Sequence, residues 1–148
     1  MKIAIGVDKY GNILPTREEK EVNLTKYEED FYEVLLGEIS KSVDVDKITL
    51  VKNSDSYTSV CYGEGAATDF LRFKLTNRTK WVSISMSQRD KKVNKDNPFF
   101  AAQKNKNQRH WKAQLVNIDD FVPYMDLIIN SINEIISWYA GKTGAQED

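Results

Sequence analysis

The run "TDFLRFKLTNRTKWVSISMS", residues 68–87, most constrains what this chain can fold into. Two segments of alternating character flank "TNRT", whose Asn77 and Arg78 suit the tip of a turn, so the run reads as a β-hairpin. Pairing outward from that tip sets Lys74 against Trp81, Arg72 against Ser83 and Phe70 against Ser85 on one face. Leu71, Phe73, Val82, Ile84 and Met86 share the other face. The second set is wholly apolar and the first is mixed, so the hairpin belongs to a sheet that buries one side and exposes the other.

Two segments carry the apolar stripes that such a sheet needs as cover. Thr25 and Glu28 form a capping-box pattern, and Tyr27, Phe31, Val34, Leu35 and Ile39 recur at helical spacing to about Val43. Near the C-terminus, Phe121, Val122, Met125, Ile128, Ile129, Ile132, Ile135 and Ile136 make a wider stripe, which predicts a helix from about Ile118 to Tyr139. Asp119 and Asp120 suit its first turn, and Pro123 is tolerated near a helix start. Further strands are expected at "KITLVK", "SYTSVCY" and "HWKAQL", with an N-terminal hairpin of "IAIGV" and "ILP" around "DKYGN". The charged "TREEKEVN" leads from that hairpin to the first helix. Residues 88–109 have no convincing period and exceed the usual loop length inside a compact domain, which marks them as functional or mobile. The expectation is a single α+β domain over residues 1–140, an antiparallel sheet packed on N- and C-terminal helices, followed by a flexible tail over 141–148.

Composition excludes several classes. One cysteine, Cys61 in an alternating run, and one histidine leave no internal disulfide and too few soft ligands for zinc, so neither metal nor cofactor is expected. The opening "MKIAIGVDKYGN" reaches Asp8 before an apolar run long enough for a signal peptide, and no 18-residue apolar stretch follows. A cytoplasmic protein without a membrane partner is expected. The formal net charge of −1 conceals sorting: residues 72–112 hold twelve Lys/Arg against two Asp/Glu, whereas residues 1–40 hold five against nine. Such sorting bears on partners and steering and not on fold.

Catalytic signatures are weak. "AGKTG" lacks the leading glycine of a phosphate loop, and Asp8 in "IAIGVDKYGN" lacks the later-strand carboxylates of a ribonuclease H type site. His110 has no serine in a nucleophile-elbow context. The enzymatic alternative is a Mg²⁺-dependent nuclease of the restriction type, in which Asp69 on one strand and Asp90 after the next would hold the metal while Lys92 assists the attacking water.

Binding is better supported than catalysis. "NPFFAAQKNKNQRHWK", residues 97–112, has no acid, and its apolar head is expected to pack while "QKNKNQR" is exposed beside the hairpin. Arg72, Lys74 and Trp81 on the exposed hairpin face, with Arg78, Lys80, Lys104, Lys106, Arg109, His110, Trp111 and Lys112, supply phosphate-neutralising cations and rings for base stacking. The leading expectation is a non-catalytic module that binds nucleic acid or a nucleic-acid-handling protein. A third possibility is a phage-type protein-binding inhibitor that docks through the acidic helix residues Glu28, Glu29, Asp30 and Glu33.

The order of "TDFLRFKLTNRTKWVSISM", "HWKAQL" and "NIDDFVPYMDLIINSINEI" resembles the layout of small bacterial and phage domains of the YjbR/MmcQ double-wing type, over about residues 45–140. The resemblance implies an α+β fold and a suspected DNA-related role, with no catalytic residues to carry over. A composition rich in Lys, Asn and Ile fits a phage or low-GC bacterial source.

Overall fold

Seven strands form one sheet in the order β2-β1-β3-β4-β5-β6-β7: β1 (Lys2–Val7), β2 (Ile13–Glu21), β3 (Ile48–Asn53), β4 (Tyr57–Tyr62), β5 (Asp69–Leu75), β6 (Lys80–Ser85) and β7 (His110–Gln114). The computed structural model describes the backbone of residues 2–7, 13–21, 24–53, 57–63, 69–105 and 107–147, and the side chains of 24–51, 57–63, 69–105 and 107–137. Asp8 and Lys106 lie outside the described residues. From β3 to β7 every neighbour is antiparallel, whereas β1 runs parallel to β3, with Ala4 opposite Val51. A parallel pair needs a crossover, which α1 (Lys26–Ile39) provides between β2 and β3. The charged "TREEKE" lies within β2, an edge strand, and not in a lead-in to the helix. Charge on an edge strand discourages further pairing.

The hairpin of β5 and β6 has Lys74 opposite Trp81 and Arg72 opposite Ser83, the register that its alternation requires. Leu71, Phe73, Val82 and Ile84 are fully buried beneath Phe31, Leu35 and Ile39 of α1 and Ile128 and Ile132 of α3 (Met125–Glu147). Phe31 ties the layers together, its ring 5.0 Å from Phe73 and 4.7 Å from Phe121. Tyr27, by contrast, is exposed, with the Lys80 ammonium 4.3 Å from its ring centre.

The expected capping box is present at α1, and it also reaches the sheet. Thr25 Oγ1 accepts from Glu28 N, and Glu28 Oε1 accepts from Thr25 N. Thr25 Oγ1 also donates to the carbonyl of Leu75 at 2.5 Å, and Glu28 Oε2 accepts from Leu75 N at 3.2 Å. Glu28 is therefore buried at the joint between α1 and the end of β5, which corrects its assignment to an acidic docking face. Of the other three acids in that face, Asp30 pairs with Lys26, and Glu29 and Glu33 are exposed.

Two boundaries differ from the periodicity. The last helix starts at Met125 because Val122–Tyr124, containing Pro123, form a 3₁₀ turn and Asp120 closes the preceding loop by accepting from Val116 N and Asn117 N. It continues to Glu147, past Gly141. Within residues 88–109, the short helix α2 (Gln88–Asn94) is capped by Ser87, whose Oγ accepts from Asp90 N. Its one aliphatic residue, Val93, is 75% exposed, so no apolar stripe marks it. Among the described residues no helix is long and apolar enough to cross a membrane.

Candidate nucleic-acid interface

One irregularity builds the site. Pairing between β4 and β5 shifts by one residue, with Val60 opposite Leu71 but Cys61 opposite Asp69. A bulge of this kind adds a residue to one strand and changes which face the next side chain takes. Strict alternation would put Asp69 on the core face and Phe70 on the open face. Here Phe70 joins the apolar core, and the Asp69 carboxylate turns to the open face to meet Arg72, Nε to Oδ2 at 2.7 Å.

Around that carboxylate stand side chains from four strands and a loop. Ser59 Oγ on β4 lies 3.4 Å from Asp69 Oδ2, and His110 Nε2 on β7 lies 3.6 Å from Oδ1. Arg109 donates from Nε to Ser85 Oγ at 2.5 Å and from Nη2 to the Asp69 carbonyl at 3.1 Å. The loop before β7 is fastened as a wall: Gln108 accepts from Lys104 N through Oε1 and donates from Nε2 to the His110 carbonyl, each at 2.8 Å. Ala101 N donates to the Lys112 carbonyl, so the same segment covers the outer edge of β7.

The result is a concavity of about 450 Å³ on the open face. Arg72, Ser83 and His110 line its floor, Lys104, Gln108 and Arg109 its loop side, and Tyr57, Trp81 and Lys112 the rest. The Tyr57 and Trp81 rings are 6.2 Å apart, with the Arg72 guanidinium 5.0 Å from the first ring centre and the Lys112 ammonium 4.5 Å from the second. No family model, curated protein or solved structure matches this chain. The site is therefore read from its own chemistry.

Of the sequence-derived binding residues, Arg72, Trp81, Lys104, Arg109, His110 and Lys112 gather in this concavity. Lys74 lies half-buried opposite Trp81, and Arg78 is exposed at the hairpin tip. Lys80 sits over Tyr27 of α1. Trp111 is corrected: it is 5% exposed, opposite Ile84 in the core, its indole N–H donating to the Gln108 carbonyl. With Phe100 it forms an edge-on contact, and Phe99 stacks on Tyr124 at 3.7 Å, so the head of the basic loop is anchored by its aromatic rings. Sequence reasoning does not single out Tyr57, Ser83 or Gln108 as binding residues. Tyr57 begins an alternating strand, which places it on the Ser59 face, and that alternation is its only signal.

The nuclease constellation does not assemble. Asp69 is committed to Arg72 on the open face, while Asp90 accepts from Asn130 Nδ2 of α3 at 3.2 and 3.5 Å, on the side of the sheet where the helices pack. Lys92 is exposed on α2. Among the described residues no three His, Cys, Asp or Glu side chains stand together as a metal site.

Charge within the site is set by burial and by the arginines. Burial alone would raise the Asp69 pKa, but His110 and Arg72 beside it outweigh burial and hold the carboxyl well below the ordinary range. His110 is held below its usual 6.5, first by burial and then by the positive charges of Arg72 and Arg109, against the pull of Asp69. The imidazole is thus mainly neutral near pH 7, and Arg72 is the standing partner of the carboxylate.

Proposed function

We propose that the open face of this sheet binds single-stranded nucleic acid without chemistry of its own, as a base-stacking and phosphate-neutralising module. The observation that carries the reading is one concavity holding two adjacent aromatic rings, Tyr57 and Trp81, among Arg72, Lys104, Arg109 and Lys112. Among the described residues, Asp69 is the one carboxylate paired with any of these cations, and it meets only Arg72. A strand laid here would place bases on the rings and phosphates on the cations, which now cap those rings and would swing outward. Two rings lining an open concavity suit unstacked bases and not a duplex, whose bases are turned inward. The layout likeness to double-wing domains with a suspected DNA-related role points the same way.

Lys104→Glu combined with Lys112→Glu tests this. Both side chains are exposed, and the cation–ring pairing of Lys112 with Trp81 that the double variant removes is worth about 0.5–1 kcal/mol. The expected result is at least about a tenfold loss of affinity for a labelled single strand with unfolding free energy changed by no more than about 1 kcal/mol. Affinity equal to that of the native protein would remove the concavity as the site.

A further inference from the structure

Polar side chains from three strands and from the loop before β7 line the concavity. Its volume, about 450 Å³, falls in the range of single-ligand pockets, about 300–1,000 Å³. The fastened loop stands along one side of it, so a strand crossing the sheet would meet a wall at Gln108 and Arg109. At the floor, among the described residues, His110 Nδ1 has no hydrogen-bond partner and Nε2 has only the Asp69 carboxylate near it, Oδ1 at 3.6 Å, although both nitrogens are shielded from solvent. A polar atom shielded without a partner is costly unless something else engages it. Beside His110, Arg72 gives only its Nε–H to a described residue, and Arg109 only its Nε–H and one Nη2–H. Each guanidinium therefore has further donors to offer from the same end of the pocket.

We infer that this pocket takes the terminal phosphate of a nucleotide, a phosphomonoester joined to a nucleoside whose base meets Tyr57 and Trp81. This deepens the nucleic-acid reading above and rests on it. A phosphomonoester carries three terminal oxygens and about −1.5 to −2 charge at pH 7, whereas an internal diester offers two such oxygens and a single charge. The Arg109 guanidinium, the remaining donors of Arg72 beside Asp69, and the Ser83 hydroxyl, all lining the pocket, offer more donors than a diester can use, and the extra oxygen and charge of a phosphomonoester take them up. Lys104 and Lys112 at the rim attract either form, so discrimination belongs to the floor and bulk attraction to the rim.

The test is fluorescence anisotropy with one labelled single-stranded sequence bearing a 5′-phosphate, a 3′-phosphate or no terminal phosphate. A phosphate at one end is expected to tighten binding by about tenfold or more. In the His110→Gln variant that preference is expected to vanish, the three strands binding alike; Ser83→Ala, expected to weaken the preference, serves as a second variant should the first fail to fold. Unlabelled nucleoside monophosphate and its nucleoside identify the source. Competition by the monophosphate alone means that a free nucleotide suffices, and no competition by either means that the phosphate is read as part of a strand; both support the inference. Equal binding of all three strands overturns it and leaves the broader reading intact. No binding of any strand overturns both.

Discussion

Asp69→Ala is expected to lower the unfolding free energy by about 2–3 kcal/mol at pH 7, the cost of stranding a positive charge at a largely buried pair. The figure is set below that for a fully buried pair because the Arg72 side chain is 32% exposed and can turn to water, whereas that of Asp69 is only 4% exposed. The pH dependence carries the more specific signature. A carboxyl whose pKa is depressed by folding stabilises the native state above its ordinary value of 3.8 and loses that contribution as the pH falls below it. The difference between native and variant should therefore close below about pH 4. Between pH 6.5 and that point it should first widen, because His110 without its neighbouring carboxylate resists protonation further, while the unfolded chain still protonates near 6.5. Urea unfolding at a series of pH values reads both effects. A difference independent of pH from 7 to 3 would mean that Asp69 acts by packing and not by charge.

The second large effect is expected at Glu28. Its two carboxylate oxygens accept from Thr25 N and Leu75 N, and the Leu75 contact is buried. Glu28→Ala leaves both donors without that partner, at about 1–3 kcal/mol for the buried one and about 0.5–2 kcal/mol for loss of the cap, or about 3 kcal/mol together. Glu28→Gln keeps an acceptor for one of them and should recover about half. Chemical denaturation measures the loss, and nucleic-acid affinity should not change, because Glu28 holds α1 to the end of β5 and does not line the concavity. An alanine variant as stable as the native protein would reduce the joint to an ordinary surface cap.

How legible the site is in the sequence follows from which signals are local. Alternation over β5 and β6 and the short turn at Asn77 and Arg78 specify a register, since a slip of one residue would turn Leu71, Phe73, Val82 and Ile84 to water. The cap at Thr25 and Glu28 is legible for the same reason, being a pattern within one turn. Its tie to Leu75 is not, because it joins residues 47 positions apart. The bulge at Asp69 and Phe70 breaks the very alternation used to read the strand, so the carboxylate and the ring exchange faces without a mark in the sequence. Trp111 resembles a stacking platform because it sits among basic residues, yet β7 alternation carries it to the core and leaves His110 and Lys112 on the open face. Tyr57 is the converse: it is far in sequence from the basic segment and is brought to Trp81 only by the meander from β4 to β6.

The most direct measurement of the central claim is the affinity of purified protein for a labelled single strand at about 50 and 200 mM salt, repeated with Trp81→Ala. Four cations meeting phosphates on a single strand give a slope near −0.7 per contact, hence about a 50-fold loss of affinity across that range. Removing the Trp81 ring should cost about 1–3 kcal/mol more, roughly five- to 150-fold, with the salt slope unchanged. No binding at the lower salt, or binding indifferent to both salt and Trp81, would contradict a nucleic-acid interface on this face.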